Sequence, residues 1–247
     1  MIVQKQRLDQ ILFNRNLAES KSKAQAMIMA GQVFVEGKPI YKSGFNINHN
    51  ATIEIKNLGP KWVSRGATKL ITALEKNKIV VKNKVCIDLG SSTGGFTDVL
   101  IQNGADKVYA VDVGTNQLHE KLKKNKKIIS LEKTNARYLK KDLFEELIDI
   151  MVCDVSFISL KKVIEPNLNL LKKESIIIAL IKPQFESKKN ETKKGVVKDI
   201  IIHQRICDEI SEWFETLYES RVLSIIESPI KGPKGNVEFL ITVKFQR

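Results

Sequence analysis

Nine residues, Asp88-Leu-Gly-Ser-Ser-Thr-Gly-Gly-Phe96, have the types and spacing of a ligand-binding turn. They follow the apolar run Lys84-Val-Cys-Ile87 and precede a helical pattern, Thr97-Asp-Val-Leu-Ile-Gln102. Strand, glycine turn and helix in that order form the binding corner of a doubly wound sheet. Gly90, Gly94 and Gly95 let the backbone approach a ligand closely. The spacing differs from the dinucleotide fingerprint G-x-G-x-x-G, and the Gly-Lys-Ser/Thr of a phosphate-binding loop does not follow. Asp88 sets a carboxylate at the turn, which would repel a pyrophosphate and suits a ligand carrying an amine or a cation. S-adenosylmethionine carries both, so the loop points toward methyl transfer. Asp88, Gly90, Ser91, Ser92, Gly94, Gly95 and Phe96 are the expected cofactor contacts in this turn.

Ligands of a doubly wound sheet sit beyond the carboxyl ends of its strands, so strand ends should carry the chemistry. The run Lys107-Val-Tyr-Ala-Val111 ends at Asp112, whose carboxylate can accept both hydroxyls of an adenosine ribose. Asn135, after the next strand, offers a donor and an acceptor to an adenine edge, or alternatively caps a turn. Asp154 closes Ile150-Met-Val-Cys153 and borders the same ligand. Lys182 closes the wholly apolar Ile176–Ile181 and precedes Pro183. Burial there favours a neutral amine able to act as a general base, although a strand-end lysine can also reach solvent. The Asp154 carboxylate would hold the ammonium in place. Glu238 opens the final strand after a glycine turn, and Lys69 lies on the helix before the first strand of the sheet.

These residues need a scaffold. From Lys84 onward, strand candidates at 84–88, 107–112, 127–131, 148–154, 175–182, 221–227 and 237–245 alternate with helix candidates at 96–103, 115–122, 138–145, 159–171 and 198–218. Such alternation predicts a mostly parallel sheet covered by helices on both faces. Only Pro229-Ile-Lys-Gly-Pro-Lys-Gly-Asn236 joins the last two strands, so the final strand is expected to run antiparallel. Ser64 is the expected N-cap of a helix through Glu75. Residues 1–58 have a separate pattern: helices at 7–13 and 22–30, Gly31 as a stop, short strands at 32–36 and 52–55, and a Gly37-Lys-Pro39 turn. Asn57-Leu-Gly-Pro-Lys61 reads as linker, giving domains at 1–58 and 65–247 with 59–64 between them.

Of 247 residues, 41 are Lys or Arg against 28 Asp or Glu, a net charge of +13. A surplus of that size suits nucleic acid or an anionic membrane, and a lysine-biased genome is the plain alternative. No apolar stretch approaches the ~18 residues that cross a bilayer, and no secretory signal opens the chain. Cys86, Cys153 and Cys207 are odd in number and far apart, as expected of reduced thiols in a cytoplasmic protein. His49, His119 and His203 are dispersed, and no His/Cys/Asp cluster has metal-ligand spacing. Candidate RNA contacts are Arg7, Lys21 and Lys23 in the first segment, Arg65, and Lys188-Lys189 with Lys193-Lys194. The run Lys121-Leu-Lys-Lys-Asn-Lys-Lys127 is another, and each run could equally be a solvated face. The Ser-, Lys- and Asn-rich stretch 187–195 is an expected lid. The sequence specifies no oligomeric state.

Four resemblances gather these features. The order of helices and strands in the first segment, with Arg7-Leu-Asp9, Ser22-Lys23-Ala24 and Gly31-Gln-Val-Phe-Val-Glu-Gly37, resembles the α+β S4 domain of RNA-binding proteins. Seven strands with the last reversed resemble the Rossmann-like α/β sheet of class I S-adenosylmethionine-dependent methyltransferases. Lys69, Asp154, Lys182 and Glu238 match in order and context the catalytic tetrad of FtsJ-like ribose 2′-O-methyltransferases. The S4 pairing, Val63-Ser-Arg-Gly66, Asp154-Val-Ser-Phe-Ile-Ser159 and Ile181-Lys-Pro-Gln-Phe-Glu186 make the whole chain similar to the TlyA, or hemolysin A, family. Ala67 departs from that pattern, where a second glycine is common.

The resemblance implies transfer of a methyl group to a cytidine 2′-hydroxyl of ribosomal RNA. Ending directly after the last strand resembles the shorter branch of the family, associated with the large subunit; the small subunit is the further possibility. Lys182 would take or polarise the hydroxyl proton, Asp154 and Glu238 would set its orientation and charge, and Lys69 would position the hydroxyl or a phosphate. No metal is expected, because a sulfonium leaves as a neutral sulfide. Other readings are a pseudouridine synthase, an inactive RNA-binding assembly factor on the same fold, and a pore-forming cytolysin. The first lacks an Arg-Leu-Asp outside the S4 segment, the second does not need the tetrad, and the third lacks a membrane span.

Overall fold

The first unit begins with β1 (Lys5–Arg7), α1 (Leu8–Asn14), α2 (Lys21–Met29), β2 (Val33–Val35), β3 (Lys38–Pro39), β4 (Asn46–Asn48) and β5 (Ile53–Ile55). The computed structural model describes residues 5–29, 31–40, 42–55 and 62–247. The chain divides into compact units Met1–Lys61 and Trp62–Arg247. In the first, Leu8, Ile11 and Leu12 of α1 pack with Ala24 and Ile28 of α2 over Val33, Val35 and Ile47. β2 pairs antiparallel with β3 and β5, while β1 pairs with β4. The two expected helices and two expected strands are present. The Gly37–Pro39 turn carries the short strand β3, and β1 and β4 are three-residue strands too brief to show a pattern. The expected linker residues Asn57–Lys61 lie outside the described residues.

The second unit comprises α3 (Ala67–Asn77), β6 (Val85–Leu89), α4 (Gly95–Gln102), β7 (Lys107–Val111), α5 (Glu120–Lys123), β8 (Ile128–Leu131), β9 (Ile148–Cys153), α6 (Lys161–Ile164), β10 (Leu171–Ile181), α7 (Pro183–Glu186), α8 (Ile200–Glu215), β11 (Arg221–Glu227) and β12 (Phe239–Gln246). Its seven strands lie in the order β11-β12-β10-β9-β6-β7-β8. Only β12 runs against its neighbours. Strand order reverses direction between β6 and β9, which places a crevice at their carboxyl ends. The sheet is buried on both faces, so its central strands are continuous apolar runs. Ile87, Leu89, Met151, Ile177 and Ile241 pack with Ile206, Ile210 and Phe214 of α8. Cys86, Val108, Ile150, Ile178 and Leu240 pack on the opposite side with Leu70 and Leu74 of α3 and Val99 of α4.

All seven strands fall where expected; the connecting elements differ. Ser64 is not the N-cap of α3. Gly66 holds that position, and the Ser64 hydroxyl accepts the Gly66 N–H at 3.1 Å, in a tight turn preceding the helix. The expected helix at 115–122 shrinks to α5. Asp112 draws the Gly114 N–H and Glu132 the Asn116 N–H, so these amides are spent outside any helix. In place of the expected helix at 138–145, Ala136–Tyr138 and Lys141–Leu143 form 3₁₀ turns, and beyond α6 the stretch Glu165–Leu170 is also 3₁₀, with Pro166 at its start. β10 consequently begins at Leu171, four residues before the expected 175.

Candidate active site

β6 delivers Asp88 to the crevice as a buried residue one position before its strand ends. The turn then places Gly90 at φ 84, where a side-chain carbon would lie 2.7 Å from the Asp154 carbonyl oxygen. Glycine is therefore required there both by backbone angle and by the close approach of two strand ends. Asp88 Oδ2 accepts the Thr97 hydroxyl at 2.6 Å, tying the strand to the first turn of α4. Its Oδ1 is buried without a partner. Burial pushes the carboxyl up to about 7, with the Thr97 hydrogen bond opposing and the Asp154 and Asp112 charges adding to the rise.

Asp112 follows β7 and braces the glycine loop. Its Oδ2 accepts the Ser92 N–H at 2.8 Å and its Oδ1 the Gly114 N–H at 2.7 Å. Each oxygen keeps a second lone pair for another donor. Of the two readings of Asn135, the structure shows the turn cap. Its Oδ1 caps a 3₁₀ turn by accepting the Arg137 N–H at 3.0 Å, so the side-chain amide's NH₂ is the half left to serve a ligand.

Four side chains from distant parts of the chain form one line of charge. Lys69 projects from α3 and is 7% exposed; Glu238, one residue before β12, is 1% exposed. Lys69 Nζ donates to Glu238 Oε2 at 2.8 Å and to Asp154 Oδ2 at 3.3 Å. Asp154 Oδ1 pairs with Lys182 Nζ at 2.5 Å. Lys182, 7% exposed at the end of β10, also donates to Ser156 Oγ at 3.0 Å. Two buried lysines thus alternate with two carboxylates, which is how buried ionisable groups are tolerated. Gly232 lies so near Glu238 that a side-chain carbon there would overlap its carboxylate.

A cavity of about 370 Å³ exposes Lys69, Asp88, Asp154, Lys182 and Glu238. A second, of about 850 Å³, is lined by Asp112, Asn135 and Phe157. Gly90, Ser92, Asp154 and Ser156 line both. Ser91, Gly95 and Phe96 face the first, whereas Gly94 borders Leu118 and Leu122. The cleft therefore joins the glycine turn to the Lys-Asp-Lys-Glu line, with Asp154 at the junction.

The candidate RNA contacts divide. Lys21, Lys23, Arg65, Lys188 and Lys189 are exposed, and Arg65 lines the smaller cavity. Arg7 is committed elsewhere: Nε and a terminal nitrogen grip Asp9 at 3.0 and 2.6 Å. That fork and the Gln25 amide hold the buried Asp9 carboxyl at about 2, against the opposing effect of burial. In the 121–127 run, Lys123 pairs with Glu120 and Lys127 reaches Asp106. The expected lid at 187–195 is fastened. Arg205 of α8 grips both Glu191 oxygens at 2.8 and 2.7 Å, and the Asn236 amide donates to Gly195 O at 3.0 Å. Ser156, Glu186, Gly232 and Asn236 were not singled out from the sequence. Their signal is proximity: each lies two to six residues from Asp154, Lys182 or Glu238.

Among known proteins, residues 62–245 match the FtsJ-like methyltransferase family and residues 6–53 match the S4 domain. Hemolysin A of Brachyspira hyodysenteriae is 41% identical, covering 95% of this chain and 98% of that one. The 16S/23S rRNA (cytidine-2′-O)-methyltransferase TlyA of Mycobacterium tuberculosis is 37% identical over 97% of this chain and 90% of its own. A solved structure from Streptococcus thermophilus, provisionally described as a hemolysin, superposes with a TM-score of 0.73 at 36% identity, covering 99% of this chain and 90% of that chain. The chain belongs to the TlyA (hemolysin A) family, in which an S4 domain is followed by an FtsJ-like methyltransferase domain.

Proposed function

We propose that the protein transfers a methyl group from S-adenosylmethionine to the 2′-hydroxyl of a cytidine in ribosomal RNA, chiefly that of the large subunit. The observation that carries this reading is the Lys69–Glu238 and Asp154–Lys182 line, opening into the cleft that also holds the glycine turn. The relatives named for rRNA cytidine 2′-O-methylation support the acceptor.

The donor fits the residues present. The unpartnered, buried Asp88 Oδ1 suits its amino group, and an amine there would offset the cost of a buried carboxylate. Gly90 and the backbone around Ser91 and Ser92 would cradle it, Asp112 would accept its ribose hydroxyls, and the Asn135 NH₂ would meet its adenine. When bound, S-adenosylmethionine supplies a methyl carbon activated by sulfonium charge.

The remaining chemistry belongs to this chain. A ribose hydroxyl is a poor nucleophile until its proton is removed. Lys182, as the amine, takes that proton while the new C–O bond forms, and Asp154 holds the resulting ammonium. Lys69 bonds to both Asp154 and Glu238 and offsets one of their two negative charges, and the remaining charge favours the ammonium that Lys182 becomes. The target nucleotide must be unstacked to reach these groups, at a cost of a few kcal/mol. Contacts from the exposed Lys21, Lys23, Arg65, Lys188 and Lys189 to RNA phosphates would offset that cost.

We place the protein in the cytoplasm, where ribosomes are assembled. The three cysteines are buried and unpaired, which suits a reducing compartment. Among the described residues no helix is long and apolar enough to cross a membrane. The test is transfer of tritiated methyl from S-adenosylmethionine to separated ribosomal subunits and to naked rRNA, with an active reference enzyme alongside. Labelled cytidine ribose in large-subunit RNA is expected; no transfer to any of these acceptors overturns the reading.

A further inference from the structure

We propose that Ser156 is a positioning residue for methyl transfer, its hydroxyl fixing the rotation of the Lys182 amine so that the lone pair faces the acceptor oxygen. This rests on Lys182 being the base, as proposed above. A neutral amine has two N–H bonds and one lone pair in a roughly tetrahedral arrangement. Rotation about its Cε–Nζ bond moves all three together. Lys182 Nζ meets two protein acceptors, Asp154 Oδ1 at 2.5 Å and Ser156 Oγ at 3.0 Å. The Ser156 oxygen takes one N–H as a hydrogen bond and the Asp154 carboxylate draws the other as an ion pair, which leaves the lone pair the third direction. With the ion pair to Asp154 alone, rotation of the amine is less constrained and the lone pair divides between orientations.

The loop carrying Ser156 is held in place for this contact. Lys182 is buried, whereas Ser156 is exposed and lines both cavities. The next residue, Phe157, has φ 64, a left-handed backbone that costs an aromatic residue about 1–2 kcal/mol. Here Phe157 packs on Phe185 with ring centroids 5.0 Å apart, and Glu186 accepts the Leu160 N–H at 2.6 Å. Phe185 and Glu186 both lie on α7, which starts directly after Lys182. The strained loop is thus tied at two points to the segment that bears the base. During transfer, the hydroxyl proton moves to the lone pair of Lys182 as the C–O bond forms and the carbon–sulfur bond breaks. The ion pair with Asp154 and the hydrogen bond to Ser156 persist throughout.

The test uses the full-length protein with S-adenosylmethionine and ribosomal subunits, comparing wild type, Ser156→Ala, Ser156→Thr and Lys182→Ala. Ser156→Ala should slow single-turnover methyl transfer about tenfold, with KM for both substrates within about twofold of wild type. Ser156→Thr keeps the hydroxyl and should retain about half the wild-type rate or more. Ser156→Ala at wild-type rate, Ser156→Thr as slow as Ser156→Ala, or a change confined to KM would each overturn the proposal. If wild type transfers no methyl, the functional reading itself fails. If Lys182→Ala is inactive while Ser156→Ala runs at full rate, the role of Ser156 alone fails.

Discussion

Glu238 lies against Gly232 with one carboxylate oxygen on Lys69 and the other unpartnered. Removing the ammonium would strand a buried charge. Lys69→Met should therefore destabilise the fold by about 3–5 kcal/mol. Lys69→Met combined with Glu238→Gln should cost less than Lys69→Met alone, as read by chemical denaturation; an additive double variant would show that the pair is uncoupled. Asp88 is a second buried carboxyl of the site. Its carboxyl in the folded protein sits at about 7, above the ordinary 3.8, because burial disfavours the ionised form. The fold therefore favours the protonated group. Its contribution to stability is most favourable below pH 3.8 and is lost as the pH rises through about 7. Asp88→Asn should be the more stable protein at pH 8 by about 4 kcal/mol, with the gap narrowing as the pH falls and closing near pH 4. The same variant should bind S-adenosylmethionine more weakly. A gap that does not change with pH would contradict this assignment of the buried carboxylate.

At the scale of elements, the site is a meeting of strand ends. Gly90 and Asp154 are in contact because β6 and β9 are neighbours in register, with Leu89 opposite Cys153. Gly90→Ala would force a left-handed backbone and push on the Asp154 carbonyl. It should cost about 1–2 kcal/mol of stability and abolish S-adenosylmethionine binding; a variant that binds normally would show that the close approach is dispensable. The strands were legible in the sequence because burial on both faces demands apolar runs such as Ile176–Ile181. Strand-end chemistry followed from topology, which is how Asp88, Asp112, Asp154 and Lys182 could be picked out. The connections were less legible. Side chains such as Asp112 and Glu132 capture backbone amides and end helices that propensity alone would extend. The commitments of Arg7 to Asp9 and Arg205 to Glu191 were hidden for the same reason. They depend on which residues the fold brings together, and composition does not report that.

On the scale of the molecule, a net charge of +13 serves an RNA ligand only where lysines are free to meet phosphates. Lys21 and Lys23 of α2 are exposed, so Lys21→Glu with Lys23→Glu should weaken rRNA binding and flatten its salt dependence. Binding of S-adenosylmethionine should be unchanged, and equal loss of both would point to misfolding of the variant. Wild-type affinity for RNA should itself fall steeply as salt rises from about 50 to 200 mM. The most direct measurement of where the methyl group goes is alkaline hydrolysis of large-subunit rRNA after incubation with S-adenosylmethionine and either wild type or Lys182→Ala. A 2′-O-methyl group removes the hydroxyl that alkali needs, so wild type should leave label in an alkali-resistant dinucleotide beginning with cytidine, and Lys182→Ala should leave none. Label recovered on a base, or full labelling by Lys182→Ala, would contradict the account.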